Sequence, residues 1–279
     1  MPLELNVITP VMKRARGYRF YSQNGKRFLD FYQEGGKSVL GATPAGFSAA
    51  LKKEIDKGNY YSTCSLFDKK ILKGLKELTG LSSFNAGLFC TADDAVKFIS
   101  ANEEQVFRLS SEFLSADFPD PELSGNLIFL WYPFCGITLK DFLARHRYVI
   151  PLLPFPGAIS PVVLLSSKAD LAGNNTVPPL LLAGLNIIIY RLIQHIEKDP
   201  YKTWENFIGK IDKIWDVSPP YLFPRYDRGK QEFVYKTFLE NRILIQPAFS
   251  GISTLPAEIS DGERALFLKT ADKVIRGIY

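Results

Sequence analysis

Apolar and polar positions are most regularly ordered over residues 17–44. There Tyr18, Phe20 and Tyr21 form an aromatic run, and Arg27, Phe28, Leu29, Asp30 and Phe31 form a second, mostly apolar one. Two such runs around Asn24-Gly25, a favoured pair for the positive-φ positions of a type I′ turn, predict a β-hairpin. Gly35, Gly36 and Gly41 then break the pattern. Pro44 opens a helix where a missing N–H costs nothing, and Phe47, Ala50, Leu51 and Ile55 recur on one face of it.

The same periodicities predict helices over 45–57, 67–79, 92–104, 179–198, 203–214, 230–241 and 261–276. Strands are predicted over 18–22, 27–32, 86–90, 126–131, 161–165 and 243–246, which makes the chain mixed α/β. The first half of 179–198 is apolar almost all round, with Leu180, Leu181, Leu182, Leu185, Ile187, Ile188 and Ile189, so it is expected inside a domain or a dimer interface. The irregular stretch 108–125, with Pro119 and Pro121, and the proline-rich 216–229 are expected to be surface connections or domain junctions.

Composition removes several classes of function. A chain of 279 residues, 46% hydrophobic, can bury a substantial core in one or two domains. The net charge of +5 comes from 34 basic and 29 acidic residues scattered along the chain, without the basic stripe interleaved with aromatics that nucleic-acid binding calls for. Cys64, Cys90 and Cys135 show no C-x-x-C spacing, and His146 and His195 stand far apart, so neither a disulfide framework nor a zinc site is expected. The N-terminal residues lack a basic segment followed by an apolar core, and residues 148–167, although uncharged, carry Pro151, Pro154, Pro156 and Pro161. Residues 179–190 are too short to cross a bilayer. A cytoplasmic location, with no membrane and no nucleic-acid partner, is expected.

The hairpin, the glycines and the helix start occur in an order that resembles the N-terminal segment of class III (ornithine/GABA-type) pyridoxal-phosphate-dependent aminotransferases. That family has an aromatic run, a G-K-R-Y-L-D-F-like hairpin, a glycine-rich segment and an L-G-H-x-H-P-like helix start; here Ala42 and Thr43 stand in place of the histidines. Residues 173–193 are similar to the family's threonine loop and apolar helix, and residues 232–275 to its C-terminal small domain, with Leu255-Pro256 as an L-P turn. The resemblance implies an abridged transferase fold (aminotransferase fold type I): a reduced central sheet plus a C-terminal α+β small domain. The expected organisation is an N-terminal hairpin and helix segment (1–62), an abridged large domain (63–200) and the small domain (201–279). Family members are typically about half as long again and carry the missing length in the large domain.

The chemistry of that family needs three groups. A lysine forms the Schiff base, an aspartate keeps the pyridine nitrogen protonated, and an arginine takes the substrate carboxylate. No lysine occurs from Asp141 to Ser167, and Lys168 lies closer to Thr176 than the family spacing allows. The strand over 126–132 has no carboxylate, and Gly251, Ile252, Ser253 and Thr254 occupy the arginine's neighbourhood. Catalytic residues are therefore expected to be lost, with Lys168 the one weak candidate. Thr91 and Ala92, in a turn resembling S-G-T-E-A, and Thr176, matching the family's loop threonine, remain as a candidate phosphate cup. Thr91 with Asp94 also reads as a helix cap, and Thr176 as a helix-entry cap.

The function this implies is an aminotransferase-like protein that no longer transaminates. It would bind no cofactor and act as a homodimeric scaffold, or pair with a full-length aminotransferase or another protein. The alternative is a protein that binds pyridoxal phosphate or another phosphorylated small molecule through Thr91, Ala92 and Thr176. A third reading uses Arg225, Tyr226 and Asp227 for new chemistry.

Overall fold

The predicted hairpin forms and gains a third strand. β1 (Met12–Arg16), β2 (Arg19–Ser22) and β3 (Arg27–Asp30) make an antiparallel meander in the computed structural model, which describes residues 11–61, 65–105, 108–110, 127–156, 160–171 and 177–279. The β2–β3 turn differs from expectation. Gly25 has φ 74° whereas Asn24 is not left-handed, and the hydrogen bonds Gly25 N–H to Ser22 O (3.0 Å) and Ser22 N–H to Lys26 O (2.9 Å) close a three-residue loop. Such a loop needs one left-handed residue, which the glycine supplies, where a type I′ turn needs two. Gly41 is held by close approach: a Cβ there would lie 3.2 Å from the backbone of Gly17.

From Pro44 to Lys198 the chain forms a unit of its own. Helices α1 (Phe47–Asp56) and α2 (Phe67–Thr79) lead to β4 (Asn85–Phe89), α3 (Ala92–Asn102), β5 (Arg108–Ser110), β6 (Leu127–Trp131), α4 (Leu139–Arg145), β7 (Val149–Pro151), β8 (Val162–Ser166) and α5 (Pro179–Lys198). The five strands form one sheet in the order β4-β8-β7-β6-β5. Phe89, Ala95, Ile99, Ile128, Ile150 and Leu164 are a core between α3 and the sheet. α5 packs on α1 and α2 at two glycines. A Cβ at Gly184 would lie 2.9 Å from Phe47 and Phe155, and one at Gly74 2.8 Å from Ile189. On α1, Ile55 is 45% exposed, unlike the predicted face. Glu54 takes the inward position because its carboxylate accepts from Lys57 Nζ (2.8 Å) and Asn59 Nδ2, which lets a charged group be buried.

α5 continues past residue 190 to Lys198, so among the described residues it is one helix long and apolar enough to cross a membrane by length and composition. Leu182, Leu185, Ile188, Ile189 and Leu192 are buried within the unit, as a core helix requires.

The chain then rejoins the first unit, which comprises Met1–Thr43 and Asp199–Tyr279. Where the sequence suggests three consecutive segments, the contacts thus group the first strands with the C-terminal part. The predicted helix over 203–214 is a 3-10 helix, Pro200–Lys210. It is followed by β9 (Trp215–Ser218), β10 (Tyr221–Pro224), α6 (Gln231–Glu240), β11 (Ile243–Leu244), β12 (Ser253–Thr254) and α7 (Asp261–Ile278). The proline-rich stretch expected to be a surface connection is in fact the β9–β10 hairpin, with Trp215, Tyr221 and Leu222 buried. Pro219 and Pro220 occupy its turn, where no ladder N–H is needed. β11 adds in parallel to β3. The core is aromatic: Phe267 stacks on Phe31 at 4.2 Å and on Trp215 at 5.7 Å, with Trp204 edge-on at 5.8 Å.

Candidate functional site

β4, β5, β6 and β7 point one way and β8 alone runs against them. Their C-terminal ends collect along one edge of the sheet, the edge at which open α/β sheets bind ligands. Thr91 and Ala92 lie at this edge, after β4. Thr91 is the N-cap of α3: its hydroxyl accepts from the Asp94 N–H (3.1 Å) and donates to the Asp94 carboxylate (2.7 Å). The helix itself therefore engages that hydroxyl, and Asp93 and Asp94 in the first turn already complement its dipole.

Farther along the edge, beyond β8 and β7, β6 ends at Trp131, which is buried and donates its indole N–H to Ile137 O at 2.9 Å. The loop folds back through Phe134 (φ 68°) and Gly136 (φ 79°). Leu152, just past β7, donates its N–H to Trp131 O at 2.8 Å, and Leu153 and Phe155 are buried, Phe155 edge-on to Phe47 at 5.0 Å. Neither 130–138 nor 149–156 contains a charged residue. His195 reaches the edge-on face of Phe134 at 5.7 Å, and burial, with Lys198 nearby, lowers its pKa to about 4. Burial also raises the pKa of Tyr132 and of Cys135, so all three groups are neutral near neutral pH.

Lys168 leaves from the other edge. β8 pairs Ser166 with Asn85 at the start of β4 and Val162 with Phe89 at its end. Thr91 and Lys168 therefore emerge from opposite ends of a strand pair about 14 Å long. Lys168 is exposed in a turn where its own N–H and that of Ala169 donate to Ser166 Oγ, at 3.2 and 2.9 Å. The structure does not bring Lys168 and Thr91 together. Thr176 and Cys64 lie outside the described residues.

In the other unit, residues 251–254 present no guanidinium: Ser253 Oγ accepts from Gln246 N–H at 3.0 Å and Thr254 is fully buried. Arg225 meets Asp212 O at 3.2 Å and Asp216 at 3.6 Å. Tyr226 is buried and its hydroxyl donates to Gln231 Oε1 at 2.7 Å, while Asp227 makes no cap bond to the short 3-10 helix it precedes. Arg225 thus ties the end of β10 back to β9 and the residues before it, and Tyr226 ties it to the start of α6. No group of three metal-ligating side chains occurs among the described residues.

No protein-family model matches the chain. It is 24% identical over 277 residues to an uncharacterised protein of Borreliella burgdorferi, covering 93% of this chain and 89% of that one. Among solved structures it is similar to the N-acetylornithine aminotransferase of Stenotrophomonas maltophilia (TM-score 0.68, 14% identity, 96% of each chain). It is also similar to the ornithine δ-aminotransferase of Plasmodium falciparum (TM-score 0.66, 12% identity, 96% and 93% covered) and to a transaminase with PLP bound (TM-score 0.71, 11% identity, 96% and 91% covered). The chain has the fold of the pyridoxal-phosphate-dependent aminotransferases of the ornithine and acetylornithine type.

Proposed function

We propose that this protein keeps the aminotransferase fold without transaminase chemistry and acts as a homodimeric scaffold or as the binding partner of another protein, such as a full-length aminotransferase. The observation that carries this reading is the apolar lining of the sheet's C-terminal edge where β6 and β7 end. A pyridinium ring needs a carboxylate at its nitrogen and a lysine within covalent reach. β6 and its following loop offer Leu130, Trp131, Tyr132 and Phe134, and Lys168 lies at the opposite edge. Thr91, the one described candidate phosphate ligand with a hydroxyl, spends it on the α3 cap. The described residues at this edge do not fit the cofactor, and fold alone does not confer activity.

Pyridoxal phosphate titration followed by visible absorbance, with Lys168→Ala alongside, tests this. The expected result is no saturable, borohydride-sensitive yellow chromophore in either protein. A chromophore lost in Lys168→Ala would overturn the reading in favour of a displaced catalytic lysine. Saturable binding without a chromophore, weakened in Thr91→Ala, would favour phosphorylated-ligand binding at α3. Light scattering coupled to gel filtration measures the dimer directly, and a monomer would remove that part of the proposal.

A further inference from the structure

The three strands of the meander carry Arg14, Arg16, Arg19 and Arg27, and strand pairing places all four on one face. Arg16 pairs directly with Arg19, while Tyr21 pairs with Arg14 on one side and Arg27 on the other. Arg19 and Tyr21 are two residues apart and share a face, so their cross-strand partners share it too. The Arg14 guanidinium lies 4.3 Å over the Tyr21 ring, as this register requires. Like charges directly opposite one another destabilise a sheet, so the Arg16–Arg19 pair is a cost that strand formation does not explain.

Arg16, Arg19, Tyr21 and Arg27 of this face line an open cleft of about 610 Å³ bordered by Gly17, Thr43 and the segment leading into α7. Among the described residues, the carboxylates that line it are Glu258 and Glu263. Glu263 takes both ends of the Arg19 fork, at 2.7 and 2.5 Å, and reaches Arg27 only at 3.5 Å. Arg27 is 55% exposed and Arg16 is exposed in the same cleft. Three guanidinium groups, of Arg16, Arg19 and Arg27, line the cleft against two carboxylates, and because Glu263 is engaged chiefly by Arg19, Arg16 and Arg27 carry the positive excess an anion would meet. Arginine forks bind the tetrahedral, multiply charged phosphoryl group through paired, charge-assisted hydrogen bonds. A concave site with an excess of positive charge also concentrates such anions.

We propose that this cleft binds the phosphoryl group of a soluble phosphate ester, with Arg16 and Arg27 as the principal ligands. Arg19, anchored by Glu263, supplies background charge, and the Thr43 hydroxyl is a further donor. The site uses none of the residues considered for a cofactor in the other unit, so it stands or falls separately from the proposed loss of transamination.

Calorimetric titration of the full chain with pyrophosphate, and in parallel with succinate, tests it. The comparison is with Arg16→Gln/Arg27→Gln and with Lys69→Gln/Lys73→Gln, which removes the same charge from the exposed face of α2. One saturable pyrophosphate site is expected, weakened about tenfold or more in the arginine variant and unchanged in the lysine variant. Equal weakening in both variants, no saturation, or succinate binding as tightly as pyrophosphate would each overturn the assignment. Both substituted arginines are exposed, so unaltered thermal unfolding of the variant separates lost binding from lost folding.

Discussion

Arg19 and Glu263, 244 residues apart in sequence, form a bidentate ion pair that ties β2 to the first turn of α7. Glu263 also completes a capping box, accepting from Ser260 N–H at 3.0 Å while Ser260 Oγ accepts from Glu263 N–H. Glu263 is buried and Arg19 largely so, and the Arg19 hydrogen bond, helped by Ser260 against the cost of burial, lowers the Glu263 pKa to about 2.

A carboxylate whose folded pKa is depressed adds stability that is complete above its unfolded pKa and lost as pH falls through the folded one. Glu263→Gln should therefore cost on the order of 2 kcal/mol at neutral pH, with the difference from wild type shrinking between about pH 4.5 and pH 2. Urea midpoints across that range check it; a difference that stays constant down to pH 2 would contradict the assignment.

Asp30 behaves in the opposite sense. Burial raises its pKa to about 6, although Oδ1 accepts the N–H groups of Tyr32 (3.0 Å) and Gln33 (2.8 Å). A carboxyl with a raised folded pKa favours the fold below its unfolded pKa, and that advantage is lost as pH rises to the folded value. Asp30→Asn keeps an acceptor oxygen at Oδ1. Relative to wild type it should gain on the order of 2 kcal/mol between pH 4 and pH 7. Denaturant midpoints at the two pH values decide it, and an equal offset at both would refute it.

Thr91 should matter to stability as a cap. Thr91→Ala is expected to cost about 1 kcal/mol, while Thr91→Asp, which can accept the same Asp94 N–H, should lose far less. Thermal unfolding of the two variants is the measurement. Comparable losses in both would show that the cap contributes nothing.

Phe267 is the hub of the aromatic core, fully buried and in ring contact with Phe31, Trp204, Trp215 and Phe238. Phe267→Ala should cost about 3–5 kcal/mol, against less than about 1 kcal/mol for Phe233→Ala, whose ring is 41% exposed. Chemical unfolding ranks the pair, and a similar cost for both would displace Phe267 from the centre of the core.

The sequence by itself determined the elements whose causes are local. Asn24-Gly25 between two apolar runs specified a hairpin, Thr91 specified the start of α3, and the mostly apolar run after Pro179 specified a core helix, whereas α1 begins at Phe47 behind the left-handed N-cap Gly46 and not at Pro44. That residues 141–167 contain no lysine and residues 126–132 no carboxylate was equally legible, because it is a matter of residue identity. Strands of two to five residues such as β1, β7, β9 and β12 were not legible, since such short pieces are held by their partners rather than by propensity. Even the turn type depended on loop closure between Ser22 and Lys26. Only the tertiary structure decided that Thr91 and Lys168 face opposite edges, because that follows from the single antiparallel strand β8. Four arginines spaced along the first strands become one charged face only through cross-strand register, a relation between distant backbones that no local pattern contains.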